Sequence, residues 1–342
     1  MRNFLRVLVV CSLFFIVSVA SAETMKDGFY DEADANGVKI RTIEYTLGVP
    51  HGRFREYYPD GRLKRWGTYV NGKLSGVVEE ATPEGKPVSK IEYRNGQLHG
   101  TRTLYYSDGK IKSEEPFIEG WKDGIVKEYG ENGAVLWERQ FRHNQEDGVS
   151  KEFFPSAGVY KEYDYKNGVQ FGFIREYYPE GRIKGTYEAT NGKKQGNGKE
   201  YFSTGELMLL GFFENDELNG QAKIFYKAGR LHIRAKYEHG VVNDPDWREY
   251  YPTGELHWLA PVIANKKEGA AKEYFETGEL KCEGAYKNDT REGLFKNYEK
   301  SGTLLVEDHY ENGRLTRHTE YYPSGRMKAD QYVFEDKEAL KK

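Results

Sequence analysis

The chain has 342 residues, a formal net charge of −3, 15% aromatic residues and 38 glycines. So many aromatics exclude a disordered chain, and evenly mixed charge without a basic excess excludes a phosphate-binding surface for nucleic acid. Of the two cysteines only Cys282 lies beyond the N-terminal apolar segment, so the mature chain has no internal disulfide to expect.

The first 22 residues differ in kind from the rest. Arg2 and Arg6 form a basic start, Val7 to Val19 an apolar run, and Ala20-Ser21-Ala22 the small residues that signal peptidase requires. The run falls short of the roughly 20 residues a membrane span needs. A signal peptide over 1–22, cleaved after Ala22, is expected, with export to the periplasm or beyond. Cys11 follows Val10 rather than a small residue, which argues against lipid attachment. Residues 23–27 read as a short leader.

From residue 28 to 339 one unit recurs about thirteen times, with a period of about 24 residues. It starts at Gly28, Gly52, Gly76, Gly100, Gly124, Gly148, Gly172, Gly196 and Gly220. One extra residue near Asn243-Asp244 shifts the phase to Pro245, Gly269 and Gly293, and the last unit begins one residue early, at Thr316. Each unit has two turn signals. Tyr58-Pro59-Asp60-Gly61 has the chemistry of a type I turn closed by a glycine bulge, and Asn71-Gly72 marks a two-residue hairpin turn. The period and turns predict an all-β fold, an elongated antiparallel meander of tandem hairpins, capped or trailed by the charged residues 335–342.

Strand alternation predicts the two faces. Tyr57, Leu63 and Tyr69 form an expected inner face, with Cys282 on it as a buried filler. Glu56, Tyr58 and Lys64 form the outer face, where Glu176 is expected opposite Lys184 and Glu320 opposite Lys328 in a solvated charge stripe. The outer aromatic row, Tyr58, Tyr106, Tyr178, Tyr226, Tyr251 and Tyr322 with Phe154, Phe202 and Phe275 between them, is the candidate binding site. Exposed aromatics in a row can anchor a protein or stack on sugars; the other reading is that the sheet packs them against itself.

These residues resemble the MORN-repeat variant family of bacteria, whose units read G-x-x-x-E-Y-Y-x-x-G-x-L…Y-x-N-G. Units at Gly52, Gly172, Gly196, Gly269 and Gly293 follow the pattern most closely. The unit at Gly76 departs from it with Ala81-Thr82 for the aromatic pair, and that at Gly148 with Ala157 for the turn glycine. The resemblance implies a hairpin sheet used for protein scaffolding, self-association or membrane-lipid contact. Some members are YwqK-type antitoxin-like proteins, partners of a toxin. The export signal departs from a cytosolic antitoxin and leaves an immunity role in the cell envelope.

No catalytic motif stands out. The eight histidines are scattered, with His51 and His99 each just before a unit's opening glycine. Glu32-Ala-Asp34-Ala-Asn36-Gly37 imitates the start of a calcium loop but carries Ile43 where the bidentate Glu belongs. The expectation is therefore a non-enzymatic exported scaffold without cofactor or metal. Its partner is a protein, a toxin or a second copy of the chain among the candidates, with a membrane surface or cell wall left open. The alternative is a glycan-binding module, weakened because Trp66, Trp121, Trp137, Trp247 and Trp258 hold no constant repeat position.

Overall fold

The computed structural model describes residues 26–333. The expected signal peptide, residues 23–25 of the expected leader and the charged C-terminal segment lie outside them. Every regular element described is a β-strand, from Gly28–Ala33 to Met327–Tyr332. The chain divides into two compact units, Met1–Gly100 with Ser107–Gly109 and Thr101–Tyr106 with Lys110–Lys342. In the first, Gly28–Ala33 pairs with Lys39–Thr46, that strand with Val49–Tyr57, and that with Leu63–Val70, all antiparallel. In the second, Val159–Lys166, Val169–Tyr177, Ile183–Thr190, Lys193–Tyr201, Leu207–Glu214 and Glu217–Phe225 pair in that order. Each unit is an all-β antiparallel meander of tandem hairpins.

The turns follow their residues. The Gly61 N–H donates to the Tyr58 carbonyl at 2.8 Å, and Gly61 has φ +83°, where a side chain would be strained. Asn71 and Gly72 have φ +49° and +76°, the paired positive values of a type I′ turn, and Val70 stands opposite Lys73 across it.

The faces differ from simple alternation, and the reason is a β-bulge that recurs after the type I turn. Tyr57 pairs with Leu63 as expected, but Glu56 pairs with Arg65 because Lys64 is the extra residue. One unpaired residue moves everything beyond it to the other face. Tyr69 therefore joins Phe54 on a packed face, their rings 5.0 Å apart, while Tyr57 and Leu63 lie with Trp66 on an open face. The core position is the second residue after each opening glycine. Phe54, Val78, Val126, Ile174, Ala222, Ala271 and Phe295 are all between 1% and 4% exposed.

Along this face, large and small residues compensate across the strands. Phe54 stands opposite Gly67, Ser150 opposite Tyr163 and Trp247 opposite Ala260. Gly198 faces Gly211, and the Tyr187 and Phe213 rings fill the space, 5.1 Å apart. Such pairing keeps interior density near that of a crystal with no two large groups competing. Cys282 is buried here as expected, and burial pushes its thiol up to about 11, which disfavours the reactive thiolate.

The expected solvated glutamate stripe is corrected by the same bulge. Glu176 faces Gly185 rather than Lys184 and turns to the packed face, 9% exposed, between the ammonium groups of Lys161 at 3.3 Å and Lys194 at 3.4 Å. Glu320 does meet Lys328 at 2.8 Å, although its strand partner is Ala329. The extra residue near Asn243-Asp244 is absorbed by an irregularity between Asp244 and Trp247. There the buried Asp244 carboxylate accepts the Lys236 and Asp246 N–H groups, each at 2.9 Å.

Candidate functional site

The predicted tyrosine row sits at the rim of the packed face, and the hydroxyls of Tyr58, Tyr106, Tyr178, Tyr226 and Tyr251 are already used. Tyr58 donates to the Ala81 carbonyl at 2.9 Å, Tyr106 to Tyr129 at 2.6 Å and Tyr178 to Tyr201 at 2.8 Å. Tyr226 reaches Tyr250 at 2.8 Å and Tyr251 reaches Tyr274 at 2.9 Å. Each acceptor belongs to the following hairpin, so each tyrosine ties its hairpin to the next. The side chain six residues on covers the ring: Lys64 lies 5.8 Å from the Tyr58 ring centre, and His232 stacks on Tyr226 at 4.1 Å. Tyr322 is 40% exposed, with the Arg326 guanidinium 5.1 Å from its ring. At the opposite turn, backbone bonds do the same work: Gly72 N–H to the Pro50 carbonyl, and Gly168 N–H to Glu146, both at 2.8 Å.

A hydroxyl-to-carbonyl bond of this kind contributes about 0.5–1.5 kcal/mol, and its loss leaves the acceptor unpaired. Tyr178→Phe is expected to lower stability by about 1 kcal/mol in urea denaturation, with the packing of the ring retained.

The open face is organised differently. Its ladder joins a lysine, a glutamate and a tyrosine from successive strands. Glu162 takes Lys151 at 3.4 Å and the Tyr177 hydroxyl at 2.7 Å. Burial, reinforced by the Glu162 carboxylate, pushes the Tyr177 phenol up to about 12. Tyr129 donates to Glu114 and Tyr298 to Glu283 in the same way, at 2.7 and 2.8 Å. Beside this ladder lie exposed apolar residues that alternation did not reveal, each directly after an opening glycine. Val77, Ile125, Val149, Phe173 and Leu294 are 39–52% exposed. The sequence signal was weak, because Arg53, Thr101, Asn197, Gln221 and Ala270 hold the same position in other units.

A concave part of this face lies in the second unit, over strands Val169–Tyr177 to Glu217–Phe225, and has a volume of about 660 Å³. Phe173 and Phe212 wall it, 41% and 43% exposed, and its floor is bare backbone at Gly198 and Gly211. Lys199 and Lys223 stand on either side of Leu210, each its direct cross-strand neighbour. Glu188 is held at one wall by accepting the Asn197 N–H at 2.8 Å. That contact explains Gly196: a Cβ there would lie 2.1 Å from the Glu188 carboxylate, and its φ is +115°.

Of the other sequence candidates, the Asp34 carboxylate accepts the Asn36 and Val38 N–H groups at 2.9 Å, closing a turn where the calcium-like segment lies. His51 is an exposed residue of strand Val49–Tyr57 with Nδ1 3.3 Å from Asn71 Oδ1, and His99 is half-buried. Among the described residues no group of three or more His, Cys, Asp or Glu side chains is arranged to hold a metal ion, and no helix is long and apolar enough to cross a membrane.

The family description MORN repeat variant matches residues 50–71, 98–119, 267–288 and 291–312. Those four segments are similar to the MORN repeat variant. The MORN-type segments run from just before an opening glycine to the Asn-Gly turn or its equivalent, so each match spans the type I turn and its bulge. No curated protein sequence matches the chain. Among solved structures it is similar to the one titled "Crystal Structure of TcdB2-TccC3-Cdc42", at 12% identity and TM-score 0.17, over 88% of this chain and 20% of that one. It is also similar to "Structure of Photorhabdus luminescens Tc holotoxin pore, Mutation TccC3-D651A", at 11% identity and TM-score 0.14, over 90% of this chain and 22% of that one. The chain thus spans about a fifth of the length of these structures.

Proposed function

We propose that this protein is a non-enzymatic, exported repeat scaffold that binds a protein partner on its open face; an immunity or antitoxin role in the cell envelope is one form of that function. MORN-type hairpins suit such a role because a meander repeats the same surface at a fixed interval, so that one partner can be held at several points. The observation that carries the reading is the exposed apolar run Ile125, Val149 and Phe173, in successive hairpins on the open face of the second unit. Isolated exposed apolar residues are ordinary, whereas a contiguous apolar patch rimmed by polar groups marks an interaction surface. Glycan binding has less support: Trp121, 52% exposed, is the one tryptophan among the strongly exposed apolar residues described. Export rests on the sequence of residues 1–22.

Two experiments test this reading. Expression of the full chain in a bacterium, with fractionation and mass spectrometry, is expected to give a periplasmic or secreted product beginning at Glu23; an uncleaved cytoplasmic product would remove export. Capture from envelope extract on the chain from Glu23 onward is expected to enrich a protein that the Phe173→Ser/Phe212→Ser variant loses. Recovery of wall fragments alone would instead favour glycan binding.

A further inference from the structure

The open face carries a basic residue three positions after the opening glycine in hairpin after hairpin: Lys127, Lys151, Arg175, Lys199, Lys223, Arg248, Lys272 and Lys296. Most are neutralised within the sheet. Lys127 meets Glu138 at 3.4 Å, Lys151 meets Glu162 at 3.4 Å, Arg175 meets Asp164 at 3.1 Å and Lys296 meets Glu307 at 3.8 Å. Lys272 has no ion pair among the described residues, although Glu283 is its strand partner; Lys199 and Lys223 go further and lack the glutamate itself. The position that carries glutamate elsewhere is Thr186, Leu210 and Arg234 here, and these are their cross-strand neighbours. Among the described residues neither lysine has a carboxylate partner, and both are exposed.

The two unneutralised ammonium groups coincide with the groove walled by Phe173 and Phe212. Its one carboxylate, Glu188, is committed to the Asn197 N–H. We infer that this groove is the docking site for an acidic peptide segment of the protein partner, with an apolar side chain seated over Gly198 and Gly211 and flanking carboxylates on Lys199 and Lys223. This rests on the scaffold reading and specifies its partner's chemistry. The charge and the apolar walls call for both features in one ligand: acids alone leave the phenyl walls wet, and an apolar segment alone leaves the lysines unmatched. A peptide fits better than an anionic membrane, because a bilayer surface is read by a broad cluster of basic charge. Here two such lysines flank one apolar-walled depression, with neutralised rows at Lys127, Lys151 and Arg175.

The test uses the chain from Glu23 onward and a fluorescein-labelled peptide in which a Leu-Phe pair is flanked on each side by two acidic residues. Anisotropy titrations compare it with the same peptide carrying lysines for the acids, and vesicles containing phosphatidylserine are titrated separately. The acidic peptide is expected to bind at least tenfold more tightly than the basic one. Lys199→Glu/Lys223→Glu is expected to remove that preference with its thermal melt unchanged, and Phe212→Ala to weaken both peptides. Equal binding of the two peptides, equal binding by the charge-reversed variant, or binding to vesicles alone would overturn the inference. Envelope capture separates the two levels. A partner held equally by native and charge-reversed chains sinks the groove and keeps the scaffold, whereas no partner with either chain sinks the scaffold reading.

Discussion

Phe295→Ala is expected to cost about 3–5 kcal/mol, among the largest effects of any single truncation in this fold. Phe295 is 2% exposed, between the rings of Tyr286 at 5.4 Å and Tyr310 at 5.3 Å, with the Arg291 guanidinium 5.0 Å from its centre. Removing it opens a cavity that rigid strands close only in part. On the neighbouring strand Gly284 leaves the room this ring needs: a Cβ there would meet Phe295 Cδ1 at 2.5 Å and Cε1 and Cγ at 2.6 Å. Gly284→Ala alone is expected to destabilise by about 1–3 kcal/mol through overpacking. In the double variant the new methyl enters space the phenyl has left. The two costs should therefore add to less than their sum, with a coupling of about 0.5–3 kcal/mol in a urea double-mutant cycle. Simple additivity would mean that the glycine is present for its backbone and not for its missing side chain.

Glu176→Gln is the second large effect. Burial pushes the Glu176 carboxyl up, but Lys194 and Lys161 outweigh it and hold the group below the usual value of 4.5. Because the folded form is the more acidic, the carboxylate contributes stability at pH values above 4.5 that is lost as pH falls through the folded value. Neutralising it leaves two ammonium groups facing each other with little water. Removing one member of such a buried set costs about 3–5 kcal/mol, and the partial exposure of the lysines places this site toward the lower end. Stability measured between pH 7 and pH 3 should therefore fall for the native chain and stay flatter for Glu176→Gln, the two curves converging in acid. Parallel curves would show that this carboxylate has no part in acid unfolding.

Period, turns and fold class were legible because they are local. Pro59, Asp60 and Gly61 each fix their own dihedrals, and Asn71-Gly72 can do little else than turn back. The faces were not legible, since a single unpaired residue, Lys64, is invisible to alternation and yet reverses it. Glu176 looked solvated for the same reason. Volume compensation was hidden for another: Phe54 and Gly67 are distant in sequence and meet only across a ladder whose register the bulge decides. A better guide was available in the column two residues after each opening glycine, apolar or small in most units. The tyrosine row is regular, and the hydroxyls of Tyr58, Tyr106, Tyr178, Tyr226 and Tyr251 each tie a hairpin to the next, while Ile125, Val149 and Phe173 are exposed on the other face.

We propose that packing and presentation are divided between the two faces. It is tested most directly by comparing two variants in one capture experiment, with thermal melts alongside. Tyr58→Phe/Tyr178→Phe/Tyr251→Phe is predicted to melt at lower temperature and keep its partner, whereas Phe173→Ser/Phe212→Ser is predicted to keep its melting temperature and lose the partner. Loss of the partner by the tyrosine variant, with the open-face variant still binding, would contradict the account.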